Sequence, residues 1–324
     1  MEYKNIEKII ECHINKSEKE AVKILHSIGR VCAKNIFAQI DIPNFSKSKY
    51  DGYIIHRIDY ENWMKCNQLQ LPIIDKIGAG HSISRSFNPG TTYHIMTGAE
   101  LPIDAKYVVP FEMLDGIENN RIIINGIPGM ADTVIPKGSK IKRGQLILEE
   151  GTMIERQNIF KIADQGFEYI DVYKKPMVSI ISTGDEVIEI GMPYERGKIY
   201  NSTSYAIAAD VILSGGQLHA IDHVEDNLHS IIQTIQHCLS RSNIIITTGG
   251  LGDGKYDYTK DIHKHMDTNI VYKIMDRPPR IIISKIDDKW IINCSGTPNA
   301  TFFSLDYVIK PIINRMLGHS KKVE

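Results

Sequence analysis

The sequence predicts a multidomain α/β protein: a helical opening, a β-rich segment that interrupts it, and then an α/β domain built on a mostly parallel sheet. Three observations carry this. Residues 177–317 alternate buried-type strands with helical stretches, which implies a sheet covered by helices on both faces. Residues from about 50 to 135 break into short apolar runs separated by Gly, Pro, Asn and Asp, the spacing of a small β domain. The stretches on either side of it read as two halves of one helical domain. The expected division is therefore 1–48 with 136–176, then 49–135, then 177–318, with a tail at 319–324.

Bulk properties narrow the class. A chain of 324 residues would hold roughly two or three domains. The formal net charge of -1 argues against a general nucleic-acid binder. Cys12, Cys32, Cys66, Cys238 and Cys294 are scattered with no CxxC pair, which fits reduced thiols rather than a disulfide or zinc framework. No run approaches the ~18 apolar residues of a membrane span, and MEYKNIEKIIE is too charged for a signal peptide. The expected location is the cytoplasm, with neither a nucleic acid nor a membrane as partner.

Taken in order, residues 4–12 and 17–36 place apolar positions at helical spacing, and Pro43 stops that pattern. Asp51-Gly52 signals a turn into a strand at Tyr53. The apolar runs Ile83–Phe87, Thr91–Met96, Tyr107–Val109 and Arg121–Ile124 are read as strands, and Thr97 lies in a small-residue loop after the second of them. Residues 136–175 read as helical again, with a helix over 153–165 ended by Gly166 and a strand at Tyr169–Tyr173. Beyond Pro176, strands are expected at Val178–Ser182, Leu218–Val224, Asn243–Thr247, Ile270–Ile274, Arg280–Ser284 and Trp290–Cys294. Helices are expected at Ser204–Leu213, Asn227–Leu239, Tyr258–Met266 and Ala300–Met316.

Ligands of such sheets bind outside the carboxyl ends of the strands. Three polar, small-residue loops follow buried strands there: Thr183-Gly184-Asp185-Glu186, Thr248-Gly249-Gly250 with Gly252 and Gly254, and Ser295-Gly296-Thr297-Pro298. Glycine lets backbone N–H groups approach an anion closely. Asp185, Glu186, Asp253 and Asp257 bring carboxylates of the kind that hold Mg²⁺ alongside ligand phosphates. Two of them also have a plainer reading, Asp257 as a helix cap and Asp185 as a turn residue. Lys255, Lys260, Lys273, Arg277 and Arg280 supply positive charge nearby in sequence, the two arginines held stiffly by Pro278-Pro279. They are equally readable as solvated surface. The histidines show no metal pattern.

Five motifs in order resemble the molybdopterin molybdenumtransferase family (MoeA and the gephyrin E domain). Ser48-Lys49-Tyr50-Asp51-Gly52-Tyr53 is similar to its S-x-x-D-G-Y, and Met96-Thr97-Gly98-Ala99 with Pro102 to its M-T-G-A-x-x-P. Ser182-Thr183-Gly184-Asp185-Glu186 is its S-T-G-D-E, and Gly197-Lys198-Ile199-Tyr200-Asn201-Ser202 resembles G-x-I-x-[DN]-S. The Gly249-Gly250 loop with Asp257-Tyr258 resembles GG-x-S-x-G-x-x-D-Y.

The resemblance implies a linker and dimerisation domain, an inserted β-rich domain and a molybdopterin-binding α/β domain, in a homodimer. It implies insertion of molybdate into adenylylated molybdopterin with Mg²⁺ and release of AMP. It places Asp51, Thr97, Glu186, Asp257 and Lys273 at functional positions, Glu186 and Asp257 as metal or hydroxyl ligands. Asp51 and Thr97 would come from a dimer partner or the neighbouring domain. Cofactor binding falls to Thr183, Gly184, Asp185, Ser202, Thr248, Gly249, Gly250, Gly252, Gly254, Lys260, Arg277, Arg280, Ser295, Gly296 and Pro298.

Some positions depart from the family pattern. The serine of the glycine loop is Gly252, K-P-G-K-P becomes Arg277-Pro278-Pro279-Arg280-Ile281, and P-G-N-P becomes Ser295-Gly296-Thr297-Pro298. Asp104-Ala105-Lys106 stands for G-A-D, and Lys140 for an acidic residue. A C-terminal β domain carried by many members is expected to be absent, since the chain stops at Glu324. These changes keep a second reading open, a carrier, sensor or scaffold that binds molybdopterin or a nucleotide with impaired catalysis.

Overall fold

In a computed structural model, which describes residues 3–81, 87–127, 129 and 132–319, the isoleucine-rich strands of the C-terminal half lie in one six-stranded sheet. Its order is Gln217–Val224, Met177–Thr183, Ile244–Thr248, Lys289–Cys294, Ile281–Ile286, Asn269–Ile274. The first four strands run parallel; Ile281–Ile286 is antiparallel to them, and Asn269–Ile274, antiparallel to Ile281–Ile286, runs in their direction again. The turn from parallel to antiparallel comes from a tight hairpin, in which Ile286 pairs with Lys289 and Asp287 takes φ 51°. The residues of a two-residue hairpin turn favour φ > 0, which Asp tolerates better than most.

Both faces of the sheet are covered, which is why its strands read as unbroken apolar runs. Ile180, Ile246, Ile283 and Ile292 pack on one face with Ile6 and Ile10 of the helix Tyr3–His13 and with Ile312 and Ile313. Ile181, Ile245 and Ile291 pack on the other with Ile231 and Ile235 of the helix Leu228–Leu239. Each fully buried isoleucine contributes roughly 1.5–3 kcal/mol relative to exposure. The first helix is tied to the last: Arg315 Nε donates to Ile14 O at 3.2 Å across a separation of 301 residues.

By contacts the chain forms two compact units. One takes in the chain up to Asn35, Leu148–Ala163 and the chain from Phe167 onward; the other takes in Ile36–Ile147 and Asp164–Gly166. The second unit carries its own six-stranded sheet, in the order Ala105–Pro110, Gly52–His56, Thr92–Ile95, Gln68–Ile77, Arg121–Asn125, Gly116–Glu118. Of the expected run Ile83–Phe87, residues 83–86 lie outside the described residues, as do 320–324 of the tail.

Several helices expected from periodicity are absent or shorter. Within 17–36, Lys19–Lys23 is a strand paired with Tyr169–Tyr173, its residues alternating exposed and half-buried. An antiparallel partner far along the chain overrides a local periodicity that fits either element. Within 136–175 the helix is confined to Arg156–Ala163; Gly138 and Gly144, both at positive φ, turn the chain ahead of it. The helix expected over Tyr258–Met266 is reduced to a 3₁₀ turn at Thr259–Asp261 and one turn at Ile262–His265. The C-terminal helix begins at Pro298 and passes through a π-helical turn at Leu305–Ile309. Pro311 explains that turn, because it has no N–H for the carbonyl of Tyr307.

Candidate active site

The three loops expected to share an edge do so. Their strands, Met177–Thr183, Ile244–Thr248 and Lys289–Cys294, are consecutive and parallel, with Ser182 level with Thr248 and Thr248 level with Cys294. Gly249 N donates to Cys294 O at 3.1 Å, locking the second loop to the third strand. The backbones crowd at this point. A Cβ on Gly249 would stand 2.6 Å from Thr183 O, and φ here is +101°. A Cβ on Gly296 would stand 3.4 Å from the Gly249 Cα. Glycine is required by close approach as well as by dihedral.

In this crevice, Thr183 Oγ1 and Thr248 Oγ1 are buried without a hydrogen-bond partner among the described residues. The two residues are 5% and 3% exposed, on adjacent strands. An unsatisfied buried hydroxyl costs about 1–3 kcal/mol, and a ligand or an ordered water in the crevice would supply the missing bond.

The glycine loop is held in shape by its own polar residues. Asp257 Oδ2 accepts from Gly254 N at 2.5 Å, and a Cβ on Gly252 would stand 2.5 Å from the same oxygen. Asp257 is therefore a loop clamp rather than a helix cap, since the 3₁₀ turn has Tyr258 at its N-cap and no side-chain cap. Thr259 Oγ1 donates to Gly249 O at 2.7 Å and Lys260 Nζ to Gly252 O at 3.1 Å. Arg280 Nη2 pairs with Asp253 Oδ2 at 2.5 Å, while its other nitrogens donate to Met275 O and Leu251 O. Both basic side chains thus brace the backbone that an anion would face. Ser295 joins this bracing, its N–H and hydroxyl both donating to Arg280 O.

Four carboxylates gather at the edge. Glu186 folds over Gly184, its Oε2 lying 2.8 Å from where a Cβ would be. Asp226 N donates to Asp185 Oδ1 at 3.0 Å. Burial pushes the Asp226 carboxyl above its ordinary range, and the charges of Asp185, Glu186 and Asp257 push it the same way. No group of three or more His, Cys, Asp or Glu converges as a ready-made cation cage among the described residues.

The chain matches two family profiles: the MoeA N-terminal region (domain I and II) over residues 1–166, and a "probable molybdopterin binding domain" over 179–315. A molybdopterin molybdenumtransferase of Staphylococcus epidermidis is 31% identical over 315 residues, covering 97% of this chain and 75% of that protein. One from Staphylococcus aureus is 31% identical over 299 residues, covering 92% and 71%. The chain belongs to the molybdopterin molybdenumtransferase family. A molybdopterin biosynthesis MoeA protein of Pyrococcus horikosii shares its fold, with a TM-score of 0.88 at 24% identity over 98% of this chain and 80% of that one.

Set against the positions that the family resemblance singles out, the geometry divides them. Thr183, Gly184, Thr248, Gly249, Gly250, Gly252, Gly254, Ser295 and Gly296 belong to the three meeting loops, with Asp185, Glu186, Asp257 and Lys260 around them. Pro298 and Pro279 line a cavity of about 620 Å³ with Pro278, Thr297, Asn299 and Phe303. Lys273 is exposed on the edge strand, level with Ile282 and through it with Asn293 and Thr247. Ser202 is exposed at the start of its helix, whereas Asn201 is the cap, and Asn201 Nδ2 also donates to Ser182 Oγ at 3.0 Å and Glu189 at 2.7 Å. Asp51 and Thr97 lie in the second unit and meet each other: Asp51 Oδ1 accepts from Thr97 N at 2.6 Å. That N–H holds the exposed Asp51 carboxyl below its ordinary range.

Neither Asp226 nor Asn201 is marked as a site residue by the sequence. Asp226 follows the fourth parallel strand, Gln217–Val224, at its carboxyl end, so the rule that finds the other three loops also points to it. The two cysteines of this sheet and its covering helix are not nucleophiles: burial pushes the thiols of Cys238 and Cys294 up to about 11 and about 12, far from a nucleophilic thiolate.

Proposed function

We propose that this chain acts in molybdenum cofactor biosynthesis as a molybdopterin molybdenumtransferase, inserting molybdate into adenylylated molybdopterin with release of AMP. The observation that carries the reading is the pair of unpartnered buried hydroxyls, Thr183 and Thr248, in a glycine-walled crevice at the carboxyl edge of the sheet. A ligand with both acceptors and an anionic part satisfies those hydroxyls and the loop N–H groups together. In this reading Thr183, Thr248 and the glycine loops orient the pterin-bearing substrate. Lys260, Arg280 and Ser295 keep the loops in register through their backbone bonds. Arg277 and Lys273 supply positive charge toward phosphate or molybdate oxygens.

The residues at the edge fit Mg²⁺. It takes few protein ligands and keeps waters and substrate phosphates, so a mutually repelling carboxylate group without a closed cage suits it. Glu186 and Asp257 would hold it. When bound, the ion would neutralise phosphate charge as the leaving AMP develops. Asp51 and Thr97, fixed to each other, would act from the second unit or from a partner subunit in a homodimer. The division into a linker and dimerisation domain (1–48 with 136–176), a β-rich domain (49–135) and a molybdopterin-binding domain (177–318) is part of the proposal. No helix among the described residues is long and apolar enough to cross a membrane; a cytoplasmic location is part of the proposal.

One observation favours a second reading, a molybdopterin-binding protein without turnover. Arg280 is engaged by Asp253 and two carbonyls, and Pro279 offers no N–H where the family has glycine. A single-turnover assay separates the two. Purified protein is mixed with adenylylated molybdopterin, molybdate and Mg²⁺, and AMP release and ligand retention are followed. Molybdate-dependent AMP release establishes the transferase; tight retention without release establishes the binder; neither overturns both.

A further inference from the structure

Arg280 is a cation fixed on one side and loosely occupied on the other. Its side chain is 21% exposed. Nε donates to Met275 O at 3.0 Å and Nη1 to Leu251 O at 3.4 Å. Its backbone carbonyl accepts from Ser295 N at 3.3 Å and from Ser295 Oγ at 3.2 Å. These bonds tie the residue to the glycine loop and to the Ser295–Pro298 loop. Nη2 is left for an anion, and the Asp253 carboxylate takes it at 2.5 Å.

Asp253 is held quite differently. Its side chain is 82% exposed, and its carboxylate makes no other hydrogen bond or ion pair with a described residue. Asp257, four residues on, is bound instead to a backbone N–H of its own loop. An ion pair with so exposed a partner is weak and exchanges with water. The guanidinium does not need it to keep its place, because the bonds to Met275 and Leu251 survive its loss. A cation set in position beforehand loses little freedom when it takes a new anion. The same N–H donors of arginine recognise carboxylate and phosphate-type oxygens. The carboxylate of Asp253 therefore stands where the oxygens of a ligand would stand.

We propose that Asp253 is a built-in competitor for the oxyanion that Arg280 binds, a latch that a tetrahedral dianion, molybdate or a nucleotide phosphate, displaces from Nη2. This rests on the reading of the three loops as the ligand site, and it adds a regulation to that site. An incoming anion must win Nη2 from a carboxylate tethered beside it. A dianion with several oxygens does so, and a monocarboxylate does not. The displaced side chain moves into water, where most of its surface already lies.

The test is isothermal titration calorimetry of the intact protein in low-salt buffer, with molybdate, with AMP and with acetate in turn. Asp253→Asn should bind one or both dianions about fivefold more tightly than the wild type, the ratio for an exposed ion pair at the upper end of its usual strength. Which dianion gains names the group that meets Arg280. Asp253→Glu, which restores the carboxylate, should return toward the wild type. Adding Arg280→Ala to Asp253→Asn should abolish the gain. Asp288→Asn removes an equal charge from the exposed turn before the strand Lys289–Cys294, and should gain less than about twofold. Unchanged affinity or no measurable binding in Asp253→Asn overturns the proposal. So does a gain that persists without Arg280, or acetate binding to the wild type as tightly as either dianion. Thermal midpoints near the wild type confirm that each variant is folded. Single-turnover AMP release is scored separately. Release by the wild type with no response to Asp253→Asn in the titrations keeps the transferase and removes the latch; the reverse keeps the latch and removes the transferase.

Discussion

Asp257 and Gly254 close the tip of the glycine loop, one carboxylate oxygen accepting the backbone N–H at 2.5 Å. In the proposed function the other oxygen would serve a cation or a ligand hydroxyl. The two roles separate by substitution. Asp257→Asn keeps an acceptor for Gly254 and removes the charge. We expect Mg²⁺-dependent AMP release to fall by about 10–100-fold or more, with the thermal midpoint almost unmoved. A large drop in thermal midpoint with activity kept would reduce Asp257 to a structural clamp.

Gly249 is the tightest point of the crevice. Gly249→Ala forces a side chain into positive φ and into contact with Thr183 O. Backbone strain of this kind costs about 1–3 kcal/mol. Chemical denaturation should show that loss, and ligand binding should fail even at temperatures where the variant is folded. Wild-type affinity in this variant would remove the crevice from the binding site.

The Asp51–Thr97 bond makes an acid-stability prediction. A carboxyl whose folded pKa is lowered contributes stability that is present above its unfolded value and lost as pH falls through the folded one. The contact should therefore survive mild acid and break only below the ordinary carboxylate range. The Thr97 amide resonance, followed by NMR against pH, should titrate there. Thr97→Ala keeps the N–H but removes the hydroxyl, so the midpoint should return only part of the way. An ordinary midpoint in the wild type would show that the contact is not formed in solution.

Asp226 carries the opposite sign. Its folded pKa is raised by burial and by Asp185, Glu186 and Asp257, so its ionised form is penalised at neutral pH. Asp226→Asn should raise the thermal midpoint at neutral pH. The gain should shrink as pH falls toward the ordinary carboxylate range, and shrink again when Mg²⁺ is added. A lower midpoint at neutral pH would mean that the charge is compensated by something other than a cation.

Much of the architecture is legible in the order of the amino acids, for a physical reason. Ile180, Ile246 and Ile292 are buried by covering helices, and that demand is written locally as apolar runs. The carboxyl-edge rule then locates Thr183, Gly249 and Ser295 from chain order alone. Pairing between distant residues is not legible in this way. Nothing in the local sequence tells that Arg280 meets Asp253, that Asp257 turns back to Gly254, or that Lys19–Lys23 finds Tyr169–Tyr173. Thr183 and Thr248 read as loop residues, but that their hydroxyls lack partners depends on every neighbour that surrounds them.

The bond from Arg315 to Ile14 has a consequence for the birth of the molecule. The helix Tyr3–His13 leaves the ribosome long before its seat, with Ile6 and Ile10 on its apolar face. That seat includes Ile312 and Ile313, so the helix must wait through the synthesis of about 300 more residues, roughly 15–60 s at about 5–20 residues per second. For that time the segment is too short to hold its helix alone and leaves Ile6 and Ile10 uncovered, so its helical form depends on the last residues of the domain to be made.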